Sequence, residues 1–464
     1  MKFQFEKLKF SNLLFIFPLV LTLLSFGCNQ PQTTITTNTN AVATSATPEA
    51  TATATPAQPE QQAATLPVTL PVLDAMFADE NFAKDLKSKL QLTDEQIEKL
   101  KSTAHQAVGN LKEDAANAGS TRAATERSGN QIREILGDEK TNKLFQLVSQ
   151  RWNGGDEAGN TVANSNAKMN AVPTDTRVVV NAPAYRMDLF QDGKLVKTYK
   201  IGIGYPEFPL PSGMRKANTI IFNPTWTPPD EPWVEGSNKV KVGEKVAAGD
   251  KLNPLGPIKI PIGLPSLIHG GKSPAKLGGF ASHGCVGLTN GQVQDFALNL
   301  AKLSGTQLLP DDVKNYEKQK TETKDVKLDK TVPVELRYET IVVEDGKLKI
   351  FRDVYEKGTN TEENLRAVLQ NYGVSFDNLK PQDRQKIIDG LKQMAIDATG
   401  QPVETGGNLN NKNSNNQSNT NSKSNDNSKN VPITRTVKGK KELSFDVAEL
   451  KGKGYPSPVN LSQQ

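Results

Sequence analysis

Arg177-Val178-Val179-Val180 opens a run that continues through Tyr185-Arg186-Met187-Asp188-Leu189-Phe190. The run turns at Gln191-Asp192-Gly193-Lys194 and returns along Leu195 to Ile203. β-Branched and aromatic residues on either side of an Asp-Gly pair predict a β-hairpin. Downstream, Gly204, Pro206, Pro209, Pro211 and Gly213 break the pattern into a loop. Ala217 to Phe222 predicts another strand, which leads into Asn223-Pro224-Thr225-Trp226-Thr227-Pro228-Pro229. Short strands punctuated by Gly and Pro predict a mainly-β, sandwich-like domain over 176–310, with one helix from Asn290 to Leu303.

The flanks have different periods. Upstream, 72–152 reads as a small helical bundle. Phe82, Leu86 and Leu90 recur at helical spacing, Thr93 and Gln96 are set as a capping box, and Ile97 and Leu100 continue the stripe. Ile132, Ile135 and Leu136 end at Gly137, and a last helix begins near Asp138 with Leu144, Phe145, Leu147 and Val148. His105 stands alone at the edge of the stripe. A Gly/Asn-rich linker, 153–175, joins this bundle to the strands. Beyond Lys314 a Lys/Glu/Thr/Asp run predicts a hinge. Residues 331–396 then predict a small α+β extension: strands from Val332 to Ile350 around Glu344-Asp345-Gly346, and helices at Thr361 to Tyr372 and Pro381 to Met394. The Asn/Ser/Lys tract at 401–430 is low in complexity and predicts disorder. The tail, 431–464, offers one short strand near Leu443 to Val447 and is assigned no activity.

At the other end, Lys2, Lys7 and Lys9 precede an apolar run from Leu13 to Phe26, too short for a permanent span of about 20 residues but suited to an export signal. Ser25-Phe26-Gly27-Cys28 resembles a bacterial lipoprotein cleavage box. It implies lipid attachment at Cys28 and a membrane-anchored, exported protein of the periplasm or cell envelope. The Thr/Ala/Pro/Gln stretch at 29–71 predicts a disordered tether. The chain is thus multidomain, with disordered linkers. The net charge is +5, from 56 basic and 51 acidic residues. No basic cluster is interleaved with aromatics, so nothing points to a nucleic-acid partner. The only two cysteines, Cys28 and Cys285, lie in an export segment and a distant domain, which excludes a disulfide framework.

Cys285 carries the chemistry. The chain has three histidines, and two of them, His269 and His283, fall within sixteen residues of it. A thiol with a histidine to take and return its proton, and backbone N–H groups to receive an oxyanion, suits covalent acyl transfer. A thiolate at the start of the predicted helix would also gain from its exposed N–H groups. One cysteine and two histidines could alternatively bind zinc, but His-Gly-Cys is a tight spacing and no second cysteine lies near. An inert buried cysteine is the remaining reading of these residues.

Ile268-His269-Gly270 followed by Ala281-Ser282-His283-Gly284-Cys285-Val286 resembles the signature of the L,D-transpeptidase (YkuD-like) catalytic domain. The similarity runs from about Thr176 to Leu309, and 331–396 resembles an extension found in some envelope members. The resemblance implies Cys285 as nucleophile and His269 as general base and acid, oriented by the Gly270 carbonyl. It implies His283 in the pocket, Ser282 supporting the loop, and N–H groups of Gly284 and Cys285 at the oxyanion. It implies no metal and no cofactor, with peptidoglycan stem peptides as partners. The reaction implied is transfer of an acyl group from a stem tetrapeptide to an amine. Water as acceptor would make it an L,D-carboxypeptidase, and an envelope protein as acceptor an attachment enzyme. A wall-binding protein without activity and another cysteine hydrolase are the alternatives. The family usually carries arginine two residues after the cysteine. This chain has Gly287 there, with Lys272 and Lys276 as the nearby cations.

Overall fold

A computed structural model describes residues 68–77, 79–109, 121–152, 169–228, 240–241, 243–263, 266–403 and 436–461. Cys28, the export segment, the tether up to residue 67 and the low-complexity tract from 404 lie outside the described residues. Those that are described form an N-terminal helical region, a central mixed β-sheet domain and a C-terminal α+β extension.

The alternation along 177–200 produces β1 (Arg177–Asn181), β2 (Arg186–Gln191) and β3 (Lys194–Lys200), each antiparallel to the next. The β2–β3 turn needs left-handed backbone at both central residues. Asp192 (φ 49°) and Gly193 (φ 77°) supply it. The chain then lays down β4 (Ile203–Gly204), β5 (Gly213–Phe222), β6 (Ile258–Pro261), β7 (Leu267–His269), β8 (Phe280–Ser282) and β9 (Val286–Gly287). Together with β10 (Lys324–Arg337), most of these make one eight-stranded sheet in the order β3-β2-β1-β10-β5-β6-β7-β9. β4 and β8 pair in parallel beside its β9 edge, tied to it by a bridge between Gly202 and Gly287.

β10 runs through the boundary expected between the catalytic domain and the extension. It lies parallel to β1 and antiparallel to β5, in the middle of the sheet. Its charged first half had the composition of a hinge because those side chains face outward. Val332, Val334 and Leu336 alternate into the core. The expected start of the extension at 331 therefore falls inside β10, and 176–310 stops short of that strand of the central sheet.

Helix α5 (Asn290–Ser304) covers the sheet with Val293, Phe296, Ala297, Leu300 and Ala301, packed among Ile220, Phe222, Ile258, Ile260 and Val334. Burying each large side chain contributes up to about 1.5–3 kcal/mol. The helix starts at a capping box of Thr289 and Gln292 and stops at Gly305 in left-handed conformation.

The helical region comprises α1 (Leu70–Phe77), α2 (Glu80–Leu90), α3 (Asp94–Gly109) and α4 (Thr121–Trp152). Thr93 and Gln96 exchange the two hydrogen bonds of a capping box at the head of α3, both 3.2 Å. Gly137 (φ 74°, ψ 170°) does not separate two helices by a loop; it kinks α4 between them. Among the described residues no helix is long and apolar enough to cross a membrane.

Helix α6 (Pro310–Lys318) leads to β10. The extension then builds a sheet from β11 (Ile341–Glu344), β12 (Lys347–Phe351) and β13 (Glu442–Asp446), covered by α7 (Glu362–Asn371) and α8 (Pro381–Met394). The third strand comes from the tail, which continues onto the central domain. There Thr198 N–H donates to the Val459 carbonyl (3.1 Å), and the Arg186 guanidinium to that of Pro456 (2.9 Å).

Candidate active site

The register of two short strands sets the geometry. β7 and β9 are parallel neighbours, with Ile268 beside Val286 and His269 beside Gly287. Cys285 immediately precedes β9, level with Leu267. Side chains alternate along strands, so Cys285 and His269 project to one face, one strand apart and one two-residue step apart. Gly287, on that same face beside His269, adds no side chain between them.

Ser282-His283-Gly284-Cys285 is a turn closed on itself. The Ser282 hydroxyl accepts the Cys285 N–H (3.0 Å) and donates to the Cys285 carbonyl. Gly284 makes the turn possible at φ 87°, where a side chain would be strained. Its carbonyl accepts from the Ser266 hydroxyl (3.1 Å). The Cys285 N–H, expected at the oxyanion, is thus engaged by Ser282. Cys285 also stands at the head of a strand, with residues 286–289 between it and the helix, so the helix terminus expected to stabilise its thiolate is not adjacent to it.

His269 is almost fully buried, at 3% exposure. Burial and the positive charge of Lys272 pull its imidazole down to about 3, against the carbonyls of Gly270 and Leu255, which favour the protonated ring. Its Nδ1 makes no hydrogen bond of ordinary geometry among the described residues. Burial pushes the Cys285 thiol up, opposed by the Leu267 backbone and by Lys272. Both shifts favour the neutral forms, thiol and imidazole, at neutral pH.

His283 does not share the face of Cys285 in the same way. It is half-buried and held edge-on between Tyr205 and Phe208, with ring centroids 5.1 and 4.8 Å away. Those aromatics sit on the Gly/Pro loop after β4. Only glycine fits at 204, where a Cβ would lie 2.0 Å from the Phe208 carbonyl oxygen and 3.2 Å from Gly284. The same loop is gripped from two sides. Thr69 and Thr121 of the helical region donate to the carbonyls of Glu207 and Pro206 (2.5 and 2.9 Å), and Tyr355 of the extension donates to that of Gly204 (2.8 Å).

The sequence reading did not single out Ser266, the Leu267 backbone, Asn290, Tyr205 or Phe208. Asn290 Oδ1 accepts the Gly271 N–H (2.8 Å) and so fixes the Gly270-Gly271 turn after His269. The two aromatics in a proline-broken loop were the one available signal. Among the described residues no group of three or more His, Cys, Asp or Glu side chains could hold a metal ion.

Residues 175–327 match the family model of the L,D-transpeptidase catalytic domain, YkuD. No curated protein matches the chain. Among solved structures, the catalytic domain of an Enterococcus faecium L,D-transpeptidase is 17% identical; the match covers 36% of this chain and 100% of that one, with TM-score 0.23. A mutant Enterococcus faecium L,D-transpeptidase is 15% identical over 42% of this chain, TM-score 0.23, and one from Mycobacterium smegmatis 16% over 35%, TM-score 0.20. Of these two longer proteins the chain spans 62% and 58%. The family match extends past residue 310 into β10, as the sheet does, and on it the chain contains a YkuD-like L,D-transpeptidase catalytic domain.

Proposed function

We propose that the protein is a peptidoglycan L,D-transpeptidase that forms an acyl-enzyme on Cys285 with a stem tetrapeptide and passes the acyl group to an amine. The observation that carries this reading is the register of β7 against β9, which sets His269 and Cys285 on one face of the sheet. With thiol and imidazole both neutral at rest, the proton moves as the bond forms. His269 accepts it from Cys285 while the sulfur attacks the carbonyl of the third stem residue. The tetrahedral oxyanion is received by backbone N–H groups, Gly284 first. Collapse expels D-alanine, whose amine takes the proton from His269. An amine of a second stem then attacks the thioester and restores the thiol. Gly270 and Leu255 carbonyls steady the imidazolium in between. Ser282 holds the turn, and His283 in its aromatic clamp shapes the pocket wall. No metal and no cofactor takes part.

The same reading makes the protein exported and anchored through a lipid on Cys28, with peptidoglycan in the envelope as its partner. Incubation of the full chain with disaccharide-tetrapeptides tests the chemistry by the masses produced. Cross-linked dimer with loss of D-alanine is the expected product. Tripeptide alone makes water the acceptor, and attachment to a protein amine makes an envelope protein the acceptor. No conversion, or equal conversion by Cys285→Ala, overturns the reading.

A further inference from the structure

Tyr355 belongs to the extension, beyond the 175–327 stretch that matches the family model, yet it is fully buried against the strands of the central domain. Its ring stacks on Phe280 of β8 (centroids 6.3 Å apart, planes at 25°) and on Tyr338, just past β10 (5.6 Å, 21°). The Tyr338 hydroxyl accepts the Tyr355 N–H (2.8 Å) and donates to Asp353 (2.6 Å), so the residue is fixed from its own side. The Tyr355 hydroxyl donates to the Gly204 carbonyl (2.8 Å). The backbone of Leu210, at the other end of the same loop, also acts on that hydroxyl. Gly204 in turn lies against the residues around Cys285. A Cβ at 204 would be 3.2 Å from both the Cα and the N of Gly284. Gly204 stands beside Ser282 in the β4–β8 pairing, and the next N–H, that of Tyr205, donates to the Ser282 carbonyl (2.8 Å). Gly204 thus joins this hydroxyl to the Ser282–Cys285 turn.

We propose that Tyr355 is a positioning residue for Cys285: its hydroxyl fixes Gly204 against Gly284 and so holds the Ser282–Cys285 turn in its reactive form. This rests on Cys285 being the nucleophile of the reaction proposed above. Tyr355 acts through Gly204 and touches no reacting group. A buried carbonyl left without its donor is costly, and the part that would yield is the loop from Gly204 to Leu210. Thr69 and Thr121 hold the middle of that loop, and Tyr355 holds its ends. A shift there would also carry Tyr205 and Phe208, which keep His283 edge-on. The extension is then part of the frame of the active site.

In the full chain carrying Cys28→Ala, Cys285 is the only thiol. Tyr355→Phe keeps the ring and its stacking and removes only the hydroxyl. The proposal predicts that kcat with disaccharide-tetrapeptide falls about tenfold, the scale of one lost buried hydrogen bond, while KM changes by less than about twofold. Alkylation of Cys285 by iodoacetamide should quicken about threefold or more near neutral pH, and its pH profile should move down, because water then reaches a thiol whose pKa burial raises. Tyr372→Phe is the control. It removes a hydroxyl that the same extension donates to the Asn170 carbonyl (2.6 Å), outside the loop. It should leave kcat and the alkylation profile at wild-type values even where the urea midpoint falls. Wild-type kcat together with a wild-type profile in Tyr355→Phe overturns the proposal. Equal changes in Tyr372→Phe overturn it too, since the extension would then act through stability alone. If no form turns over tetrapeptide, the proposed reaction fails and the alkylation profiles still decide this proposal: a downward move in Tyr355→Phe alone supports it, and identical profiles overturn it.

Discussion

Two of the places that bury polar groups treat them in opposite ways. Where the extension meets the central sheet, Arg186 is paired with Asp188 (2.7 Å), with Glu344 and with the Pro456 carbonyl; Glu344 also receives Lys349 (2.5 Å). Arg337 pairs with Glu335 (2.9 Å), and Arg177 reaches the same carboxylate (2.8 Å). The charges there hold one another, and the cluster joins two parts of the fold. At the end of β7 and β9, His269 keeps an unbonded buried Nδ1 and Cys285 a thiol that burial holds neutral. Groups kept unsatisfied in a rigid frame remain free to react. The frame around them is hydrogen-bonded through Ser282, Ser266, Asn290 and the loop held by Thr69, Thr121 and Tyr355.

Substitutions should separate the two places. The largest effect is expected at the site: Cys285→Ala lowers tetrapeptide conversion by at least about 10³-fold, and His269→Gln by roughly 10²–10⁴-fold, with urea midpoints near that of the wild type. At the interface the reverse holds. Arg186→Met leaves Asp188 and Glu344 buried without their partner and should cost about 3–5 kcal/mol of unfolding free energy, while turnover per folded molecule stays the same. Ser282→Ala removes the hydroxyl that closes the Ser282–Cys285 turn and should reduce conversion by roughly tenfold for about 1–2 kcal/mol of lost hydrogen bonding. Rates measured against urea midpoints would merge the two regions if Ser282→Ala lost stability alone.

The last expected difference is in pH. His269 titrates near 3 when folded, below its usual 6.5. Unfolding thus binds a proton between those values. The buried neutral ring adds stability that is whole above about pH 6.5 and drains away as pH falls toward 3. Wild-type stability should fall more steeply over that window than His269→Gln, measured by urea titration at successive pH values. Equal slopes would mean that the ring is hydrated.

Much of this was legible in the chain. Asp192-Gly193 announces its hairpin through the turn it must make, and Thr93 with Gln96 announces the start of α3 because capping is local chemistry. His269, Ser282 and Cys285 stood out as residue types, and His283 with them. What did not show was long-range pairing. Nothing local marks 324–331 as a strand between β1 and β5, since its outward charges imitate a linker. Tail strand β13 was expected near Leu443 to Val447, but its pairing with β12 was not. At the site, the placing of His269 beside Gly287 in the sheet depends on the parallel register of β7 and β9, which nothing local marks. The engagement of the Cys285 N–H by Ser282 is local, but it belongs to a turn whose form the sequence does not display.

The central claim is that Cys285, served by His269, becomes acylated. Rapid acid quench of the full chain mixed with disaccharide-tetrapeptide, followed by intact mass and peptide mapping, measures this directly. The account predicts an adduct on Cys285 of the donor less its terminal D-alanine, formed within a turnover and slowed in His269→Gln. Turnover without any adduct on Cys285, or an adduct that survives in Cys285→Ala, would contradict it.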